Sequence, residues 1–210
     1  MRAFTHEQHA EAERSGIVAA ILAGKVSVAG YALYLRNLLP AYQCLEQMLV
    51  GSPTLGPLAD LAAPALCRAP SIRADLDAMI GPQWHRDVPL LPVAKRYASR
   101  IGQAGSGDGQ LLIAHVYTRY LGDLSGGPIL RRRLERCFGP GFPLRFTEFH
   151  AIGDKSAFVA AFRTALDAAG SQLSDEPAML REVQAAFRLN IDLSLEVDAA
   201  VPPAEKKVSS

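Results

Sequence analysis

Two groups of residues in this sequence could do chemistry. In the first, His9 is followed four residues later by Glu13. On a helix the pair shares one face. A carboxylate so placed accepts the second ring N–H of the histidine, directly or through water, and fixes the ring for a bond to a metal. In the second group, Arg119 and Asp123 stand four apart, with Tyr117 and Tyr120 beside them. A guanidinium, a carboxylate and phenols at that spacing suit an ordered water network next to a ligand. An ordinary ion pair on a solvated helix face uses the same residues.

The second group also contains Gly122, Gly126 and Gly127. Each glycine inside a helix costs about 0.8–1 kcal/mol relative to alanine, so the three together weaken the helix by roughly 2–3 kcal/mol. That cost is retained where the backbone does something a side chain would prevent. Gly122 and Gly126 lie on one face and leave a strip of bare backbone. Close packing of a second helix and close approach of a flat ligand both account for the strip, and spacing alone does not separate them.

The remaining candidates are weaker. His6 and His9 are three apart in HEQH, whereas a zinc protease motif needs four. His115 stands just ahead of the glycine segment and reads as structural; His85 and His150 fall in connectors. No Glu-x-x-His pair is present, so the usual ligands of a di-iron carboxylate site are missing. Cys44, Cys67 and Cys137 are far apart and odd in number, which fits reduced thiols better than a disulfide framework or a zinc site. GSGDG has the wrong spacing for a dinucleotide loop and follows no strand. With 22 basic and 21 acidic residues, the chain lacks the basic excess of a nucleic-acid binder.

The elements that must position these groups read as helices. The sequence predicts one helix from Thr5, with a capping box to Gln8, through Leu22, stopped by Gly24. A second runs over 28–50, with Tyr31, Leu35, Leu38, Leu39, Tyr42 and Leu45 as its buried stripe. Short helices are expected over 58–76, then a proline- and glycine-broken connector, GPQWHRDVPLLP. Further helices are expected over 93–101, 110–137, 155–169 and 176–199. FGPGFPLRFTEF reads as irregular, and 201–210 as a disordered tail. The expectation is one all-α domain over 1–200. The N-terminus has no apolar signal segment, no run is long enough to span a bilayer, and the expected location is cytoplasmic, without a membrane anchor.

YTRYLGDLSGG, eleven consecutive residues, resembles the signature of the haem oxygenases. The likeness extends from about Arg2 to Val197: THEQHAEAE resembles the family's proximal segment, GPQWHRDVP its tryptophan-containing connector and AFRLNIDLSLE its last helix. The resemblance implies a single-domain helical bundle that holds haem between a proximal helix and a kinked distal helix. It implies His9 as axial iron ligand supported by Glu13, and Gly122, Ser125 and Gly126 as the haem-facing strip. Asp123 would feed protons through water, with Arg119 and Tyr42 as candidates for its network. Phe187 and Asn190 match positions near the pocket. Arg163, Tyr117 and Arg2 match propionate contacts, and a guanidinium suits a carboxylate. One turn before Arg163 the family often has lysine; this sequence has Val159.

The implied activity is oxidation of haem b, both substrate and cofactor, by O2 and electrons to biliverdin, CO and Fe2+, with opening at the α-meso carbon. No flavin or iron–sulfur motif is present, so an external donor such as a ferredoxin, flavodoxin or reductase is implied. The competing function is a haem carrier or sensor of the same fold. Such a protein would keep His9 without needing the distal carboxylate.

Overall fold

The structure, a computed structural model, describes residues 6–50, 52 and 55–201 of the 210-residue chain. The expected capping box at Thr5, the proposed propionate contact Arg2 and the tail 202–210 lie outside the described residues. The helical elements, in chain order, are α1 (His6–Glu13), α2 (Gly16–Leu22), α3 (Val28–Leu49), α4 (Gly56–Ala65), α5 (Ala69–Ile80), α6 (Trp84–Asp87), α7 (Pro92–Ala104), α8 (Leu112–Val116), α9 (Gly122–Phe138), α10 (Lys155–Gly170) and α11 (Glu176–Ala200). A π-helical segment (Tyr117–Leu121) joins α8 to α9, and a 3-10 turn (Arg145–Thr147) follows α9. None of the described residues is in a β-strand.

The long helix α3 is the spine of the core. Its expected stripe of Tyr31, Leu35, Leu38, Leu39, Tyr42 and Leu45 is buried throughout, packed chiefly against α7 and α5. Ser27 caps its start, the hydroxyl accepting from the Gly30 amide at 3.0 Å. Asp154 and Asp175 cap α10 and α11 in the same way. Pro40 lies within α3, two residues before Tyr42, and removes one N–H from the helical ladder there.

The single helix expected over residues 5–22 is two helices. The chain breaks at Arg14 and Ser15, and Gly16, the first residue of α2, adopts φ +51°. A Cβ on Gly16 would sit 2.2 Å from the Ser194 carbonyl oxygen of α11, so the backbones meet where only glycine fits. Ser194 secures the crossing: its hydroxyl donates to the Ser15 carbonyl (2.8 Å) and accepts from the Val18 amide (3.1 Å). The break therefore fixes α1, which carries His9, relative to α11. The connector GPQWHRDVPLLP also contains the one-turn helix α6.

His115 is structural, as its sequence context suggests. It is fully buried in α8, and its Nε2–H donates to Glu182 of α11 at 2.8 Å. Arg100 of α7 also pairs with Glu182. Burial alone would raise the Glu182 carboxyl, but the hydrogen bonds from His115 and Arg100 outweigh it and hold the group below its ordinary range. The pair's stabilisation is thus complete above the ordinary glutamate pKa and is lost as pH falls through the lower folded value. Glu182→Gln is expected to remove about 3 kcal/mol at neutral pH, the scale for breaking a buried pair. Urea titrations at neutral and acid pH check this: the gap to the wild type should close on acidification. A gap that stays constant would show that ionisation of Glu182 contributes nothing.

Candidate active site

One cleft, about 210 Å3, lies between α1–α2 on one side and the π segment and α9 on the other, with α11 along its edge. His9 and Glu13 reach it from α1, Gly122, Asp123 and Gly126 from α9, and Phe187 and Asn190 from α11. The His9 ring stands edge-on to Phe187, with centroids 4.7 Å apart. Phe187 is buried, so this contact sets the tilt of the imidazole against a rigid surface.

The glycines divide between the two explanations that spacing leaves open. A Cβ on Gly122 or Gly126 would meet nothing within 4 Å, so both face open space in the cleft. A Cβ on Gly127 would come within 3.3 Å of the Thr147 carbonyl oxygen, so this glycine serves close packing. Immediately before them, Tyr117–Leu121 winds as a π-helix, a device that kinks and re-aims helices at functional positions. The departure from regular winding begins in that segment, not at the glycines themselves.

On the glycine side, four side chains from α3, the π segment, α9 and α11 converge. The Arg119 guanidinium donates from Nε (3.0 Å) and Nη2 (2.6 Å) to the Tyr42 hydroxyl, from Nη2 to Asp123 at 3.3 Å, and from Nη1 to the Asn190 carbonyl oxygen. Tyr42 in turn donates its proton to Asp123. The guanidinium also lies 5.0 Å over the Tyr42 ring. Arg119 is only 5% exposed and Tyr42 is fully buried, which removes water competition from these bonds.

Electrostatics follow from that burial. Loss of solvent pushes the Asp123 carboxyl above its ordinary range, although Arg119 and the Tyr42 hydrogen bond pull it down. Loss of solvent pushes Tyr42 well up, so it remains a phenol able to donate. Burial opposes the charge of Arg119, but Tyr42, Asp123, Tyr97 and Tyr34 around it more than compensate, and the guanidinium keeps its proton. The arrangement holds a carboxyl of raised pKa, in fixed orientation, at the wall of an apolar cleft. That is the equipment of a proton relay.

Two polar residues that sequence reasoning missed also line the cleft. Tyr34 of α3 is buried and stands two turns before Tyr42 on the same helix, a spacing that could have flagged it. Thr118, in the π segment, has a buried hydroxyl without a hydrogen-bond partner. An orphaned donor at a cleft wall is the kind of group a bound ligand or its water satisfies. Open glycine backbone, an orphaned hydroxyl and an accessible imidazole together fit a flat, iron-bearing ligand. Four candidates are not among the cleft residues: Tyr42 is fully buried and meets the cleft only through its bonds to Asp123 and Arg119, Ser125 is exposed on α9, Tyr117 is half-buried at the start of the π segment, and Arg163 lies exposed on α10 in a separate groove with Lys155 and Val159.

Comparison with known proteins gives a consistent result. The sequence model of the family described as "Heme oxygenase" matches residues 1–196. The chain is 30% identical over 197 residues to "Heme oxygenase 1" of Homo sapiens, covering 92% of this chain and 68% of that protein. It is 30% identical over 199 residues to "Heme oxygenase 1" of Synechocystis, covering 94% and 83%. The solved haem complex of the Synechocystis sp. PCC6803 heme oxygenase-1 superposes with a TM-score of 0.82 at 30% identity, over 95% of this chain and 91% of that one. The Leptospira interrogans heme oxygenase superposes at 0.84 with 31% identity, over 93% and 96%.

Fold, cleft and relatives together define the class as an all-α, haem-degrading oxidoreductase. The chain belongs to the haem oxygenase family. No helix among the described residues is long and apolar enough to cross a membrane.

Proposed function

We propose that the cleft binds haem b with His9 as the axial iron ligand, and that the chain oxidises this haem with O2 and externally supplied electrons to biliverdin, CO and Fe2+. The observation that carries the reading is the Asp123 network: a carboxyl of raised pKa, fixed by Tyr42 and Arg119, beside bare glycine backbone in the same cleft as His9. Haem supplies the iron that activates O2 and the ring that is consumed. Every other contribution belongs to the chain.

His9 would hold the iron, with Phe187 against its ring, and Glu13 on the same helix would orient its second N–H. Gly122 and Gly126, whose Cβ positions are open, would let the backbone of α9 approach a bound haem closely and help steer its oxidation to a ring edge. Tyr42 and Arg119 keep Asp123 pointed at the cleft, and Asp123 passes protons through ordered water. A carrier of the same fold would gain nothing from a buried, desolvated carboxyl network of this kind.

The proposed regiochemistry is α-meso, supported by the family resemblance at Tyr117 and Arg163. Arg163 would engage a propionate from α10. The chain carries no flavin or iron–sulfur motif, so the donor is a separate protein such as a ferredoxin, flavodoxin or reductase, and the proposed setting is the cytoplasm.

Mixing the protein with haemin and ascorbate or a reductase tests the reading. Loss of the Soret band with growth of biliverdin absorbance is expected, and chromatography of the product should show the α isomer. A stable Soret band would contradict the enzymatic reading; β- or δ-biliverdin would overturn only the regiochemistry.

A further inference from the structure

Behind the distal helix lies a short strap, residues 144–149, that includes the 3-10 turn Arg145–Thr147. Two buried charges hold it from one side. Asp75 of α5, fully buried, accepts from both the Arg145 amide (2.9 Å) and the Phe146 amide (2.8 Å), one on each carboxylate oxygen. Arg68, only 5% exposed, donates from Nη1 to the Phe146 carbonyl at 3.3 Å and to the Glu148 carbonyl. Its guanidinium also lies 4.2 Å over the Phe149 ring. Arg68 is itself placed by Glu46 of α3, which accepts from the Arg68 amide and from the Ala69 amide at 2.9 Å.

The strap's other side touches the catalytic wall at three points. The Thr147 carbonyl backs Gly127, where a Cβ would approach to 3.3 Å. Glu148 pairs with Arg131, one helical turn beyond Gly127 on α9. The Phe146 ring meets the Tyr42 ring edge-on, with centroids 5.8 Å apart. The strap thus touches both the helix that carries Asp123 and the phenol that holds it.

We propose that Arg68 and Asp75 are positioning residues for haem oxidation, pinning the 144–149 strap so that it fixes the distal helix at Gly127 and, through it, the placement of Asp123. The proposal rests on the reading of Asp123 given above. A clamp needed only for stability is made more cheaply from apolar side chains, because burying charges carries a desolvation penalty. Directional bonds to four backbone groups of the strap instead fix its position, and an error of about 1 Å near a reacting centre lowers a rate by on the order of a hundredfold. Arg68 also acts on Asp123 through its charge, favouring the carboxylate.

The test compares Arg68→Met, Asp75→Asn and Gly127→Ala with the wild type. In the haem-free protein, amide hydrogen exchange over residues 122–131 is expected to rise by about tenfold in Arg68→Met and Asp75→Asn. In the haem complex, all three variants should retain the His9-ligated spectrum but convert about tenfold less haem to biliverdin, the remainder being lost to peroxidase-like oxidation. Arg68→Lys should restore at least part of the biliverdin yield.

If Arg68→Met fails to fold, Asp75→Asn and Gly127→Ala decide the matter. Variants that lower the melting temperature yet leave exchange and biliverdin yield at wild-type values would overturn the proposal, and so would loss of yield that Arg68→Lys does not relieve. The wild-type control separates the two readings: if it leaves haem intact, the functional assignment fails rather than the strap.

Discussion

Replacing Asp123 with alanine is expected to leave haem binding intact while lowering biliverdin formation by about 10²–10⁴-fold, the range for a positioned acid–base group. The substitution removes the carboxyl that Tyr42 and Arg119 hold at the glycine wall. Those partners then lose their acceptor, and water in the cleft loses its fixed proton source. Oxygen activation should continue without correct proton delivery, so the variant is expected to oxidise an added phenolic reductant in the manner of a peroxidase. Asp123→Asn should behave in the same direction, because an amide keeps the shape but cannot relay a proton. Absorption spectra during reductant-driven turnover check both, and biliverdin output equal to wild type would remove Asp123 from the mechanism.

The second large effect is expected at His9. His9→Ala should abolish the normal axial bond and with it the spectrum of histidine-ligated haem, while the helical fold remains. His9 is an exposed side chain on α1, and its loss leaves no buried gap in the core. Haem would still enter an apolar cleft lined by Phe187, Leu22 and Leu130. Turnover should fall to background, and added imidazole should recover part of the ligand spectrum by occupying the vacated volume. Circular dichroism separates loss of ligation from loss of fold. An unchanged Soret position in the variant would reassign the iron ligand.

Much of this site was legible in the sequence because its information is local. The His9–Glu13 and Arg119–Asp123 spacings and the Gly122–Gly126 strip are features of single helices, and the structure brings all of them to one cleft. The buried stripe of α3 followed from helical period alone. What escaped depends on contacts between distant segments. The break before Gly16 exists because Ser194, far along the chain, presses against that glycine. Nothing in the local sequence of the π segment distinguishes it from an α-helix, since Tyr, Thr, Arg, Tyr and Leu suit either winding. Asp75 and Arg68 are unremarkable in sequence; their meaning comes from the strap some 70 to 80 residues away.

The contrast between Gly126 and Gly127 shows the same limit at the scale of one residue. Adjacent glycines do different work, one open to the cleft and one against the Thr147 carbonyl. Tyr34 illustrates the converse. It was within reach of a helical-face argument from Tyr42 but belongs to a helix so apolar that it reads as core.

The most direct measurement is a single turnover of the wild-type haem complex, reduced under O2, with CO and biliverdin quantified together. The account predicts one CO and one biliverdin for each haem consumed, both suppressed in Asp123→Ala while the haem still binds. Haem loss without CO, or equal CO release from Asp123→Ala, would contradict it.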